Sequence, residues 1–148
     1  MKEYKSLIPK FSIVKEKSDF KKVQIKTSRE SYEYMKGFYV GSMEIYESFF
    51  IILLNRANNT IGYAMISQGG ITGTVVDPRI IAKFIADSLA TGLIMGHNHP
   101  SGNKFPSEQD KSITSKIKSM ASYFDTSVLD HIILTEDDYY SFADEGML

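Results

Sequence analysis

The 148-residue chain contains no cysteine. Disulfides and thiolate metal sites are therefore excluded, and any metal the chain holds must sit on histidine, aspartate or glutamate. It also lacks an excess of charge of either sign: 17 Lys and Arg stand against 18 Asp and Glu, for a formal net charge of −1. A chain so balanced is not built as a whole to bind a nucleic-acid polyanion. The balance is uneven, however. Residues 1–30 carry nine basic and four acidic side chains, and the remainder carries eight and fourteen. The basic head reads as a solvated extension over residues 1–27, because its lysines are spread out without an aromatic platform for bases. No apolar stretch approaches the ~20 residues that span a bilayer, and the N-terminal lysines are not followed by the apolar core of a secretory signal. The expectation is a cytoplasmic chain with neither a membrane partner nor a specific nucleic-acid partner. Its length suits one domain with a sizeable core.

Histidine is scarce as well, with three in the chain, and two of them fall in one stretch, Gly96 to Asp110, GHNHPSGNKFPSEQD. Gly92-Leu-Ile-Met95 reads as a short buried strand feeding that stretch. Alternate residues leaving a strand share a face, so His97 and His99 aim their imidazoles the same way. Pro100-Ser-Gly102 and Pro106 break the chain into a loop. Ser107 is a good N-cap, and the acidic residues after it favour the first turn of a helix. The loop can return Asp110 to the histidines, giving two neutral nitrogens and one carboxylate oxygen. That set suits Zn²⁺ with a fourth position left to water.

The rest of the chain alternates helices with strands. Phe11 to Val14 and Val23 to Ile25 are short β-type patches in the basic head. Thr27-x-x-Glu30 has the form of a capping box, and Tyr32, Met35 and Tyr39 recur at helical spacing, which predicts a helix from about Ser28 to Val40. Phe49-Phe-Ile-Ile-Leu-Leu54 is apolar on both faces and reads as a central strand. Asn58-Asn59 turns the chain into a hairpin partner over Thr60 to Ser67. Ile71 to Val76 is a shorter β-prone piece. Asp77-Pro78 starts a helix running to about Ala90, with Ile81, Phe84, Ile85 and Leu89 on its apolar face. A helix from Ser107 to about Tyr123 turns Ile113, Ile117 and Met120 inward. Strands over Val128 to Leu134 and Tyr139 to Phe142 complete a sheet covered on both faces.

His97-x-His99-Pro100, six residues, then Ser107-x-x-Asp110 resembles the pattern of the JAMM (MPN+) zinc metallopeptidases, and in particular the RadC family of bacterial JAMM-domain proteins. Glu47 to Asn55, Gly70 to Thr74, Asp77 to Arg79, His97 to Gly102, Leu129 to His131 and Ser141 to Gly146 look like RadC segments in the right order, so the likeness covers about residues 31–148. It implies an α/β fold over residues 28–148, a curved mixed sheet flanked by helices in the JAMM/MPN, cytidine-deaminase-like architecture. It implies a hydrolase in which a zinc-activated water attacks the amide carbonyl of a polypeptide laid along a sheet edge.

Such chemistry needs a carboxylate to carry the proton from water to the leaving amine. Spacing alone does not choose between Glu44 and Glu47, and the resemblance selects Glu47. It also gives Ser107 a second role besides capping, as a donor to the oxyanion. His131 is not a ligand in the family and reads as a hydrogen-bonded structural residue, while Asn98 points away from the metal pair and ties the loop down. Long RadC proteins carry a helix-hairpin-helix DNA-binding region, for which this sequence offers no counterpart. A DNA-repair-associated role and a noncatalytic binding module are the alternatives to the peptidase.

Overall fold

The computed structural model describes residues 21–70 and 74–148. Phe11 to Val14 and most of the basic head lie outside the described residues, as do residues 71–73 of the β-prone piece. Thr74 to Val76 are described and form no strand. Five strands run β1 (Ser48–Leu54), β2 (Thr60–Gln68), β3 (Gly92–Asn98), β4 (Ser127–Leu134) and β5 (Tyr139–Ser141). They form one mixed sheet in the order β2-β1-β3-β4-β5, with β3 and β4 parallel and the other pairs antiparallel. Among the described residues no helix is long and apolar enough to cross a membrane.

The all-apolar run of β1 is explained by layers on both faces. Phe50, Ile52 and Leu54 pack with Tyr32 and Met35 of helix α1 (Ser28–Lys36), while Phe49, Ile51 and Leu53 pack with Ile81 and Ile85 of α2 (Pro78–Ser88) and Ile117 and Ala121 of α3 (Glu108–Ser122). Every residue of β1 and of β3 is buried. A strand enclosed on both sides has no solvent face to mark with polar residues. The β1–β2 hairpin turns at Asn58, which takes a left-handed φ of 59°, and the Asn55 side chain accepts from the N–H groups of Ala57 and Asn59.

Two helix ends differ from the sequence expectation. α1 begins with the anticipated capping box, Thr27 with Glu30, but stops at Lys36 and tightens into a 3-10 turn over Gly37–Tyr39. The tightening lets the buried Tyr39 hydroxyl reach the carbonyls of Ser48 and Gly96, at 3.0 and 3.3 Å. α2 starts on the Asp77 cap with Pro78 at its first position and ends at Ser88, and Leu89 turns left-handed with φ 55°. Leu89 is therefore 82% exposed instead of facing the core. The reversal delivers Ala90, itself buried, to the start of β3.

The layers come very close together at Gly96 in β3. A Cβ there would stand 2.9 Å from Met35 Cε and closer still to its Sδ, and Met35 is fully buried. Gly96→Ala is expected to destabilise the domain by about 1–3 kcal/mol through overpacking. Combined with Met35→Ala it should cost less than the two single changes added together, because the shorter side chain vacates the clash. Urea unfolding of the four proteins checks this, and strict additivity would count against the close approach.

Candidate metal centre

The site forms where three distant pieces of chain meet at one edge of the sheet. β1 runs antiparallel to β3 with Phe49 opposite His97. Extending that register by two residues sets Glu47, just before β1, opposite His99, just after β3. α3 starts at the same edge after the Pro100 to Pro106 loop, and its first turn carries Asp110.

His97 lies within β3, one residue from its end, and is 1% exposed. Its ring stacks on Phe49, with centroids 5.8 Å apart. Beyond the strand, His99 is held by the loop: its Nδ1 is 2.6 Å from the Asn103 carbonyl oxygen. A carbonyl only accepts, so His99 Nδ1 carries the proton and Nε2 turns toward His97. The two Nε2 atoms are 2.9 Å apart. Asp110 completes the group, with Oδ1 3.2 Å from His97 Nε2 and Oδ2 3.4 Å from His99 Nε2.

Asp110 is aimed by the start of its own helix. Ser107 caps α3, its Oγ accepting from Asp110 N–H at 3.1 Å, and Asp110 Oδ2 accepts from Ser107 N–H at 2.7 Å. This is a capping box with aspartate as the returning acid. The same carboxylate thus closes the helix end and faces both imidazoles. Burial favours its protonated form, but the two imidazoles, which attract the ionised carboxylate whenever they carry positive charge, and the Ser107 N–H outweigh that and hold its pKa far below the ordinary carboxylate range. Burial likewise disfavours a charged His99. The bond to Asp110, the Asn103 carbonyl and the charges of Asp110 and Glu47 more than offset it and raise the His99 pKa.

These donors fit a divalent cation. In a tetrahedron with bonds of roughly 2.0–2.1 Å, neighbouring ligand atoms stand ~3.3 Å apart; here the two Nε2 atoms are 2.9 Å apart and each faces a different oxygen of Asp110, Oδ1 at 3.2 Å from His97 and Oδ2 at 3.4 Å from His99. His97, His99 and Asp110 are also the one group of potential ligands among the described residues whose atoms converge in this way. Two imidazole nitrogens and a carboxylate oxygen suit zinc and its first-row neighbours.

The group opens onto a cavity of about 630 Å³. Glu47 and Ser107 line it beside His97, His99 and Asp110, Val75 and Val76 form an apolar wall, and Ile113 and Lys116 of α3 also face it. Glu44 is exposed and is not part of the lining. The cap uses Ser107 Oγ as an acceptor and leaves its proton for donation.

Asn98 points to the opposite face, as alternation requires, and is fully buried. Its Oδ1 accepts from Ser48 N–H at 2.8 Å, and its Nδ2 donates to the carbonyls of Met43 and Tyr46 at 2.6 and 2.8 Å. The amide pins the segment that carries Glu47 to the strand that carries His97. His131 is a structural residue as expected, with burial pushing its imidazole pKa well down. Its partners, His97 and Thr114, were not legible from spacing. The one signal for Thr114 is its place four residues after Asp110, one helical turn on.

The family model described as RadC-like JAB domain matches residues 25–147. Among curated relatives, the chain is 44% identical over 124 residues to a UPF0758 protein of Flavobacterium johnsoniae, covering 84% of this chain and 53% of that one. It is 39% identical over 103 residues to a UPF0758 protein of Porphyromonas gingivalis, covering 69% and 45%. A UPF0758 protein of Chlorobaculum parvum is 34% identical over 125 residues, covering 84% and 55%. The chain thus spans about half the length of these relatives.

Single changes His99→Ala and Asp110→Asn are expected to abolish retention of zinc after dialysis, because both residues are partly exposed and neither change empties the core. Elemental analysis of the folded variants is the measurement. Full occupancy in both would remove these residues from the ligand set.

Proposed function

The chain belongs to the RadC-like JAB domain family, and from that membership and the geometry above we propose that it is a zinc-dependent hydrolase of peptide or isopeptide bonds. The observation that carries the proposal is the placement of a further carboxylate, Glu47, in the cavity onto which His97, His99 and Asp110 converge. When bound, zinc would supply Lewis-acid activation, bringing the pKa of a water down to roughly 7 and polarising the scissile carbonyl.

The remaining steps fall to the chain's own residues. Glu47 takes the proton from the attacking water and passes it to the departing amine nitrogen, so that the carboxylate begins and ends the cycle ionised. Ser107 donates its free O–H to the carbonyl oxygen as negative charge develops there, a role that benefits from a hydroxyl already fixed by the helix cap. Asn98 anchors the segment that carries Glu47 without touching the substrate. The proposed substrate is a polypeptide. Thr74 to Val76 line the cavity without joining the sheet, so an extended substrate entering it would run past them beside His97, His99 and Asp110.

The test pairs wild type with Glu47→Gln, both loaded with zinc, against a library of peptides and isopeptide-linked conjugates. Glu47→Gln is expected to keep its zinc and to lose roughly 10²–10⁴-fold in turnover, the usual contribution of a positioned proton carrier. Glu44→Gln should behave as wild type. Equal cleavage by Glu47→Gln and wild type would overturn the assignment.

A further inference from the structure

His131 is a buried imidazole beside the site that the proposed chemistry leaves unused. It is fully enclosed, its ring stacked on Phe142 at 4.8 Å and tilted against Phe49 at 5.5 Å. Its Nε2 is 2.8 Å from His97 Nδ1 and its Nδ1 is 2.6 Å from Thr114 Oγ1. Thr114 Oγ1 is in turn 2.6 Å from the backbone carbonyl oxygen of Asp110.

The direction of every bond in this chain follows from its last link. A carbonyl oxygen carries no proton, so the single hydroxyl proton of Thr114 lies on the bond to Asp110. Thr114 Oγ1 can then only accept from His131, which places a proton on His131 Nδ1. The His131 ring sits between two phenyl groups with no carboxylate bonded to either nitrogen, where a charged imidazole would be costly, so the ring is neutral and its Nε2 is bare. His97 Nδ1 must be the donor to that nitrogen. His97 Nε2 is left with its lone pair facing His99 and Asp110.

We propose that Thr114 and His131 form a hydrogen-bond relay, anchored on the α3 backbone, that locks His97 in its Nδ1–H tautomer and presents Nε2 as a preformed metal-binding atom. The inference rests on the metal-centre reading but concerns positioning residues that touch no substrate. A partner on the second nitrogen of a ligating histidine fixes ring orientation and raises basicity, and its loss commonly weakens metal binding by roughly 10- to 100-fold. The relay also links two ligands, since the carbonyl that terminates it belongs to Asp110. His99 is oriented differently, by a loop carbonyl.

Long-range ¹H–¹⁵N correlation spectra of histidine-labelled, metal-free protein report the tautomers directly, and competition with a chelating dye reports zinc affinity. Wild type is expected to show His97 protonated on Nδ1 alone. Thr114→Val, nearly isosteric, should lose that single tautomer and bind zinc roughly 10- to 100-fold more weakly, with Thr114→Ser restoring both. An Nε2–H tautomer at His97 in wild type would overturn the relay. So would a Thr114→Val protein with unchanged tautomer and affinity. The expected tautomer in a wild type with no affinity for zinc would support the relay while sinking the hydrolase reading, so the two can fail separately.

Discussion

The antiparallel pairing of β1 with β3 is the constraint on which the site depends. It sets Phe49 against His97 at the centre of the sheet and brings the residue before β1 to the end of β3. Asn98 fixes what the pairing alone leaves loose. Its oxygen and both of its amide protons are engaged between residues 43 and 48. Buried polar groups that lose partners cost about 1–3 kcal/mol each, so the segment bearing Glu47 cannot drift from the strand bearing His97 without stranding several at once. Tyr39 adds a second tie, since its hydroxyl reaches carbonyls of both strands.

Asp110 solves a different problem, that of bringing a carboxylate from beyond a loop to the edge of a sheet. An aspartate on an unstructured loop would lose side-chain and backbone freedom on binding a cation. Here most of that ordering is done by the helix start, whose orphan N–H groups need acceptors whatever else is present. The carboxylate satisfies the cap N–H with Oδ2 and directs Oδ1 at His97. Its depressed pKa expresses the same arrangement, a carboxylate kept ionised beside two imidazoles.

Much of the site was legible because its parts are local. His97, His99, Ser107 and Asp110 belong to one continuous stretch, and alternation along a strand and capping at a helix start are rules of short range. The strands were legible for the same reason, since unbroken apolar runs such as Phe49 to Leu54 admit few other structures. Glu47 and Glu44 were inseparable by spacing because what separates them is tertiary: the strand begins at Ser48, and the register then carries Glu47 to the cavity. Leu89 misled because its hydrophobicity suited the helix face, whereas the chain needed a left-handed residue there to enter β3. The partners of His131 were hardly legible, Thr114 having only its place one turn after Asp110 to mark it. The Thr114 contact depends on where α3 lies along β4 and the His97 contact on the parallel register of β3 with β4, both of them tertiary.

Seen from the core, the site is a consequence of the sheet and not its support. The two apolar layers close around β1 and β3 without using the imidazole of His99 or the carboxylate of Asp110. A small zinc domain whose core is insufficient folds only when metal is bound; here the core is built from two buried apolar layers, one on each face of the sheet. What the metal would complete is local charge. Two imidazole nitrogens 2.9 Å apart repel unless a proton or a cation lies between them, and the carboxylate beside them favours either. A sheet edge that holds donors in this arrangement meets the ordering cost of the site during folding, so that a cation would meet a cluster already assembled.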